Sequence, residues 1–145
     1  MNYWHMNLHP THEQGTDADI RKIILSRTIG MGIWKRGNAI DPQVADFKNR
    51  VQIGDIVVIL NGQNPIALVE VIGDWYKFDD AESIVWFPLR RAVKILCLKE
   101  NCPHTAILPQ FPMRTKTLIG LTQNPEIFHI IKTQTSNSHP NRWTP

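Results

Sequence analysis

The chain has 145 residues, 42% of them apolar and 20% charged, the proportions of one globular domain whose core needs no disulfide staples. Sixteen Lys and Arg against 13 Asp and Glu leave a formal charge of +3, a mild basic balance that suits a polyanionic partner without requiring one. No apolar run is long enough to cross a bilayer as a helix, and the first residues carry no basic stretch leading into an apolar one. The expectation is a cytoplasmic protein without export.

Tyr3 to Leu8 alternates, with Trp4, Met6 and Leu8 on one face and Tyr3, His5 and Asn7 on the other. This predicts a half-buried strand ended by Pro10. Thr16 or Asp17 caps a helix with Ile20, Ile23 and Ile24 at helical spacing and acidic residues in its first turn, where the helix dipole favours them. That helix stops near Ser26. A segment from Gly32 to Asn38 follows, with Trp34, Lys35 and Arg36 between its glycines. Asp41 and Pro42 then open a short helix that turns Val44 and Phe47 inward.

Residues 53–60 and 66–73 are rich in β-formers and separated by a Gly-, Asn- and Pro-containing connection, which predicts a hairpin. Trp75 and Tyr76 fall on opposite faces at its end, one for the core and one for the rim. Residues 77–83 read as a loop, and Ile84 to Phe87, Ala92 to Leu98 and Thr117 to Leu121 as strands. The prolines from Pro103 to Pro112 predict a surface loop, and Asn124-Pro125-Glu126 opens a terminal helix. The domain so defined covers residues 1–133, with a polar, flexible tail over 134–145.

The cysteines, Cys97 and Cys102, are two in number. Without an export signal they are expected as free thiols, and Cys97 lies in an apolar run where a thiol is inert. With His104 they form C-x4-C-x-H, a spacing that matches no common zinc knuckle, so neither a metal nor a cofactor is expected. His5, His9 and His12 have no companion carboxylate at ligand spacing. No serine or cysteine nucleophile motif and no G-x-x-x-x-G-K-[ST] pattern is present, so no enzyme activity is expected.

A tryptophan in an irregular, glycine-flanked, cationic segment is suited to stack on a flat group backed by negative charge, and a nucleobase is such a group. Trp34 equally suits a plug in the mouth of a barrel, and Trp86, inside Ile84-Val85-Trp86-Phe87, equally suits the core. Asn61-Gly62 is a turn signal as well as an amide able to read a base edge. Trp4 reads as core. Lys35, Arg36 and Arg90 are either phosphate contacts or, together with Arg91, a solvated face.

Tyr3-Trp4-His5-Met6-Asn7-Leu8-His9-Pro10 resembles the opening strand of EVE domains. The tryptophan of Trp34 to Asn38, Gly54-Asp55 opening a strand, and the returning Val69-Glu70-Val71 follow in the same order. The layout is also similar to YTH domains, with Asn61 ending the strand before the hairpin and Trp86 preceding Arg91-Ala92-Val93-Lys94. The resemblance spans residues 3 to about 98. It departs from both families where Asn7-Leu8-His9 replaces their basic and serine residues.

The resemblance implies an α+β fold: a small PUA-like, mostly antiparallel β-barrel flanked by two or three helices. It implies a non-catalytic module that binds nucleic acid, DNA favoured over RNA, and takes one flipped, methylated base between aromatic walls, with a separate effector protein acting downstream. The base would be held by Trp34, Trp86, Asn7, Asn61 and Tyr76, and the phosphates by Lys35, Arg36 and Arg90. The rival reading is a nucleotide- or nucleoside-processing hydrolase on a related ASCH-type barrel, with Lys35, Glu70 and Asp55 in the cleft. A protein-interaction or RNA-processing module without a base pocket is a third.

Overall fold

The computed structural model describes residues 2–8, 16–32, 35–36, 39–61, 64–78, 87–99 and 117–120. Nine strands are found among them: β1 (Tyr3–Asn7), β2 (Thr28–Met31), β3 (Lys35–Arg36), β4 (Ala39–Ile40), β5 (Ile56–Asn61), β6 (Asn64–Val71), β7 (Tyr76–Lys77), β8 (Leu89–Leu98) and β9 (Leu118–Gly120). Two α-helices, α1 (Asp17–Leu25) and α2 (Pro42–Ala45), accompany them, and α2 runs on into a π-helical turn over Asp46–Arg50. The terminal helix expected from Asn124, the tail and the proline-rich loop lie outside the described residues, as do His9 and His12.

The strands form a curled sheet in the order β2-β8-β6-β5-β1-β9, with β7 added to β8; β3 and β4 make a separate ribbon. β1 and β5 run parallel, and the other pairs are antiparallel. The sheet is mostly antiparallel, as expected, with the one parallel pair making it mixed, and it curls into a half-barrel that does not fully close, where a barrel was expected. The parallel pair also corrects the picture of β1 as half-buried. All five of its residues are buried, as strands of a parallel pair covered on both faces are.

One face of the sheet carries the core. Trp4, Met6, Val57, Ile59, Ala67, Val69, Leu89 and Val93 pack there with Ile20, Ile23 and Ile24 of α1 and with Phe47 of the π turn. Helix α1 begins in a capping box: Thr16 Oγ1 accepts from the Asp19 N–H at 3.2 Å, and Asp19 Oδ2 accepts from the Thr16 N–H at 3.4 Å. It ends at Ser26, and Arg27, at φ 60°, turns the chain straight into β2. Asp41 caps α2 through the Gln43 N–H at 2.9 Å. Gln43 in turn accepts from the backbone of Thr117 and Leu118 at 2.6 and 3.0 Å and ties α2 to β9.

Two cationic side chains assigned to a solvated face or to phosphate are buried instead. Arg91 is 2% exposed. Its Nη1 donates to the carbonyls of Phe47 and Val51 at 3.0 and 2.6 Å, and its Nε to that of Gly73 at 3.2 Å. The guanidinium thus joins the π turn to the segment between β6 and β7, satisfying carbonyls that a helix end leaves open. Burial lowers its proton affinity, and Asp74 and then Asp55 push it back up. Arg90 is described with the site below.

Cys97, buried on β8, is disulfide-bonded, which corrects the free-thiol expectation. That expectation rested on compartment, and compartment says nothing about geometry. The sequence holds one other cysteine, Cys102, outside the described residues.

Candidate nucleic-acid interface

The first residues of β8 are held between two partners. On one side β2 pairs with them, Gly30 opposite Arg90 and Met31 opposite Leu89. On the other side lies β7, Tyr76 opposite Arg90 and Lys77 opposite Leu89, and the Phe78 N–H continues the ladder to the Pro88 carbonyl at 2.9 Å. Gly30 makes this approach feasible. A Cβ there would stand 2.3 Å from the Leu89 carbonyl oxygen and 2.7 Å from Phe87 Cβ.

Three chain segments therefore arrive at one rim. β2 ends at Met31 with Gly32 buried behind it, β8 begins after the buried Phe87, and β7 lies alongside. Trp34 follows Gly32 by two positions and Trp86 precedes Phe87 by one; both lie outside the described residues. Lys35 and Arg36 form β3 against Ala39 and Ile40, and their side chains are likewise outside what is described.

Tyr76 and Phe78 project from the same side of their strand and are 41% and 42% exposed. Arg90, diagonal to Phe78 across the ladder, is 7% exposed. Its Nε donates to the Phe87 carbonyl at 2.7 Å, and its guanidinium lies 4.3 Å from the centroid of the Phe78 ring. The arginine thus lies beneath an aromatic ring, where a solvent-facing phosphate contact was expected. Trp75, half-buried against the core, carries Lys48 Nζ 4.6 Å above its ring.

The two asparagines lie elsewhere. Asn7 is opposite Leu60 on β5, and Asn61 opposite Asn64 at the hairpin end. The ladders continue from there to Ala67 opposite Leu98, so both asparagines sit at the far end of β8 from Arg90 and Tyr76. Asn61 donates through Nδ2 to Asp17 Oδ1 at 2.6 Å, tying the hairpin to the start of α1. Asn7 is 8% exposed; its backbone N–H donates to the Thr117 carbonyl at 2.9 Å, and its buried Oδ1 has no hydrogen-bond partner among the described residues. His5, two positions earlier on the same face, is buried between Val58 and Ile119.

The acidic candidates of the hydrolase reading are both placed. Asp55 accepts from the Asn2 N–H at 2.8 Å through Oδ1, and from Trp4 Nε1 at 3.0 Å and the Gln52 N–H at 2.9 Å through Oδ2. A carboxylate so occupied is a structural acceptor. Glu70 is half-buried on β6, opposite Ile56 and Lys94. Phe78 escaped the sequence reading, as did the structural role of Arg91. The alternation Tyr76-Lys77-Phe78 was the available signal, hidden by the Asp79 and Asp80 that follow and read as loop.

A curled mixed sheet with α1 and the α2–π unit on its core face makes this a small α+β domain. The chain belongs to a domain family of unknown function, DUF8426, whose profile it matches over residues 13–122. Among curated proteins none matches it. Its fold is similar to that of human THYN1, solved in complex with DNA containing 5-methylcytosine, at 13% identity and a TM-score of 0.52, covering 97% of this chain and 100% of that one. A protein from Agrobacterium tumefaciens is similar at 14% identity and a TM-score of 0.50, covering 95% of this chain and 97% of that one.

Proposed function

We propose that this chain is a non-catalytic, EVE-type reader of nucleic acid, DNA in preference to RNA, that accepts one flipped, methylated base. Trp34 and Trp86 are its aromatic walls, Tyr76 stands at its rim, and Lys35 and Arg36 hold the flanking phosphates. The observation that carries this reading is the convergence of β2, β7 and the start of β8, which sets the segments leading to both tryptophans beside Tyr76. The likeness of fold to THYN1, which was solved with 5-methylcytosine DNA, supports the choice of ligand. Arg90 acts here by shaping the rim beneath Phe78, and Asn7 and Asn61, at the far end of the ladders, are left out of the pocket.

Extruding a base costs a few kcal/mol of stacking and pairing. Stacking on aromatic rings returns about 1–3 kcal/mol per base. A methyl group buried against those rings adds about 1 kcal/mol, enough to favour the modified base several-fold. Phosphate contacts make binding fall with salt.

Fluorescence polarisation with short duplexes and single strands, unmodified or carrying 5-methylcytosine, 5-hydroxymethylcytosine or N6-methyladenine, tests this directly. One modified oligonucleotide binds more tightly, and Trp34→Ala abolishes that preference. Equal, weak binding of every oligonucleotide, indifferent to Trp34, overturns the reading. The hydrolase alternative loses its Asp55 to structural hydrogen bonds and is not favoured by any other contact.

A further inference from the structure

We infer that Phe78 forms a second stacking subsite next to Tyr76, the rim residue of the proposed pocket, and that it takes the unpaired base flanking the flipped one. The inference rests on the reader function proposed above and adds a contact to it. Phe78 offers one open face. The other is covered by the Arg90 guanidinium, 4.3 Å from the ring centroid, and the arginine is fixed in turn by its bond to the Phe87 carbonyl. The Phe78 N–H donates to the Pro88 carbonyl at 2.9 Å, which ties the residue just after β7 to the segment leading into β8.

That cation decides what the open face prefers. A ring attracts a positive charge through its electron-rich faces. With an arginine already on one face, a second cation on the other gains little, whereas a flat, electron-rich ring gains from the polarisation. A nucleobase therefore fits better than a lysine or arginine of a protein partner. Such a partner would otherwise be drawn by the exposed Asp74 and by the Asp79 and Asp80 of the sequence. The exposed Asp74 carboxylate disfavours a phosphate nearby, so the contact is with the base and not with the backbone.

Spacing argues for an unstacked base. Tyr76 and Phe78 are two residues apart along a strand, roughly 6.6 Å at the usual rise. Successive bases of one duplex strand are about 3.4 Å apart. Bases lying on the two rings are thus parted from each other, which is the state of a strand opened around a flipped nucleotide.

The test uses the full chain, as wild type, Phe78→Leu and Phe78→Trp, with single-stranded and duplex oligonucleotides carrying a central 5-methylcytosine. In parallel, each flanking nucleotide is replaced by an abasic one. Leucine keeps the apolar bulk and removes the flat face, and thermal melts check that both variants fold. Phe78→Leu is expected to weaken binding roughly 5- to 100-fold, with the modified-to-unmodified ratio and the salt dependence unchanged, and Phe78→Trp to bind at least as well as wild type. One abasic position should weaken the wild type to the same degree and leave Phe78→Leu unaffected.

Wild-type affinity in Phe78→Leu overturns the inference, as does an abasic effect at every position that simply adds to that of the variant. Binding of a Lys- and Arg-rich peptide that is lost in Phe78→Leu overturns it as well and assigns the face to a protein. Loss of the preference for 5-methylcytosine with the Phe78 and abasic effects intact removes the pocket reading and leaves the stacking subsite standing.

Discussion

The Trp4 indole donates to the Asp55 carboxylate at 3.0 Å in a buried hydrogen bond that joins residues 51 positions apart in sequence. The bond explains why Gly54-Asp55 opens β5. At φ 96°, Gly54 turns the chain, and Asp55 then collects the N–H groups of Asn2 and Gln52 beside the indole. One carboxylate thereby fixes the register of the first strand against the hairpin.

Removing it leaves three donors without their acceptor. Asp55→Ala is expected to cost about 2–3 kcal/mol: the buried indole N–H left unsatisfied costs about 1–3 kcal/mol, and the part-buried N–H groups of Asn2 and Gln52, which water can reach, add less. Trp4→Phe keeps the ring in the core and removes one bond, at about 1 kcal/mol apart from the change in ring size. Urea unfolding midpoints compare the two. Equal losses would mean that the indole's packing outweighs the carboxylate's bonds.

Arg91 sets a second node. Its bonds to Phe47, Val51 and Gly73 hold the π turn, with Lys48 on it, against the segment that leads to Trp75 and Tyr76. Arg91→Met matches its apolar stem and orphans those carbonyls, at an expected cost of about 3 kcal/mol or more, since each buried acceptor left unsatisfied costs about 1–3 kcal/mol. Arg91→Lys keeps the charge but not the fork that reaches several carbonyls at once, so it is expected to recover only part of the loss. Denaturant unfolding of both variants checks this. Full recovery with lysine would assign the node to charge alone.

Sequence patterning located the elements whose burial is periodic. Ile20, Ile23 and Ile24 mark α1, Asp41-Pro42 marks the start of α2, and the run of β-formers on either side of Asn61 marks the hairpin, with strands that reach to Asn61 and from Asn64. It missed β2, β7 and the ribbon of β3 and β4, all of four residues or fewer, because strands that short are defined by their partners and not by their own alternation. It also missed that β1 pairs parallel to β5, since a strand buried on both faces needs apolar residues on both, and His5 and Asn7 conceal that. Among the site residues, the split of Trp75 and Tyr76 between core and rim was legible. The burial of Arg90 and Arg91 was not. An arginine's place depends on carbonyls such as those of Phe87, Phe47 and Gly73, which carry no sequence signal.

The disulfide at Cys97 gives a prediction independent of ligand. Thiol titration of the denatured, unreduced chain should find no free thiol, and reduction should release two, since the sequence holds only Cys97 and Cys102. Closing so short a loop contributes about 2 kcal/mol by chain entropy. Cys97→Ser should therefore lower stability by about that amount under oxidising conditions and by much less in excess dithiothreitol. Two thiols found without reduction would overturn the bridge.

Gly30 links stability to the proposed site. An added Cβ would meet the Leu89 carbonyl oxygen at 2.3 Å and Phe87 Cβ at 2.7 Å, and the first of these belongs to the backbone. No side-chain rotation relieves that contact, so β2 and the start of β8 must move apart. Overpacking of this kind costs about 1–3 kcal/mol, and Gly30→Ala is expected at the upper end of that range. The displacement falls where Met31 and Leu89 pair, next to the segments that lead to Trp34 and Trp86. The variant, studied at a temperature where it remains folded, should therefore bind the modified oligonucleotide at least several-fold more weakly than wild type. Gly54→Ala serves as the control. No atom lies within 4 Å of its added Cβ, and its penalty comes from the positive φ alone, so it is expected to lower stability and leave ligand affinity unchanged. Parallel loss of affinity in both variants would trace the effect to general destabilisation and separate Gly30 from the rim.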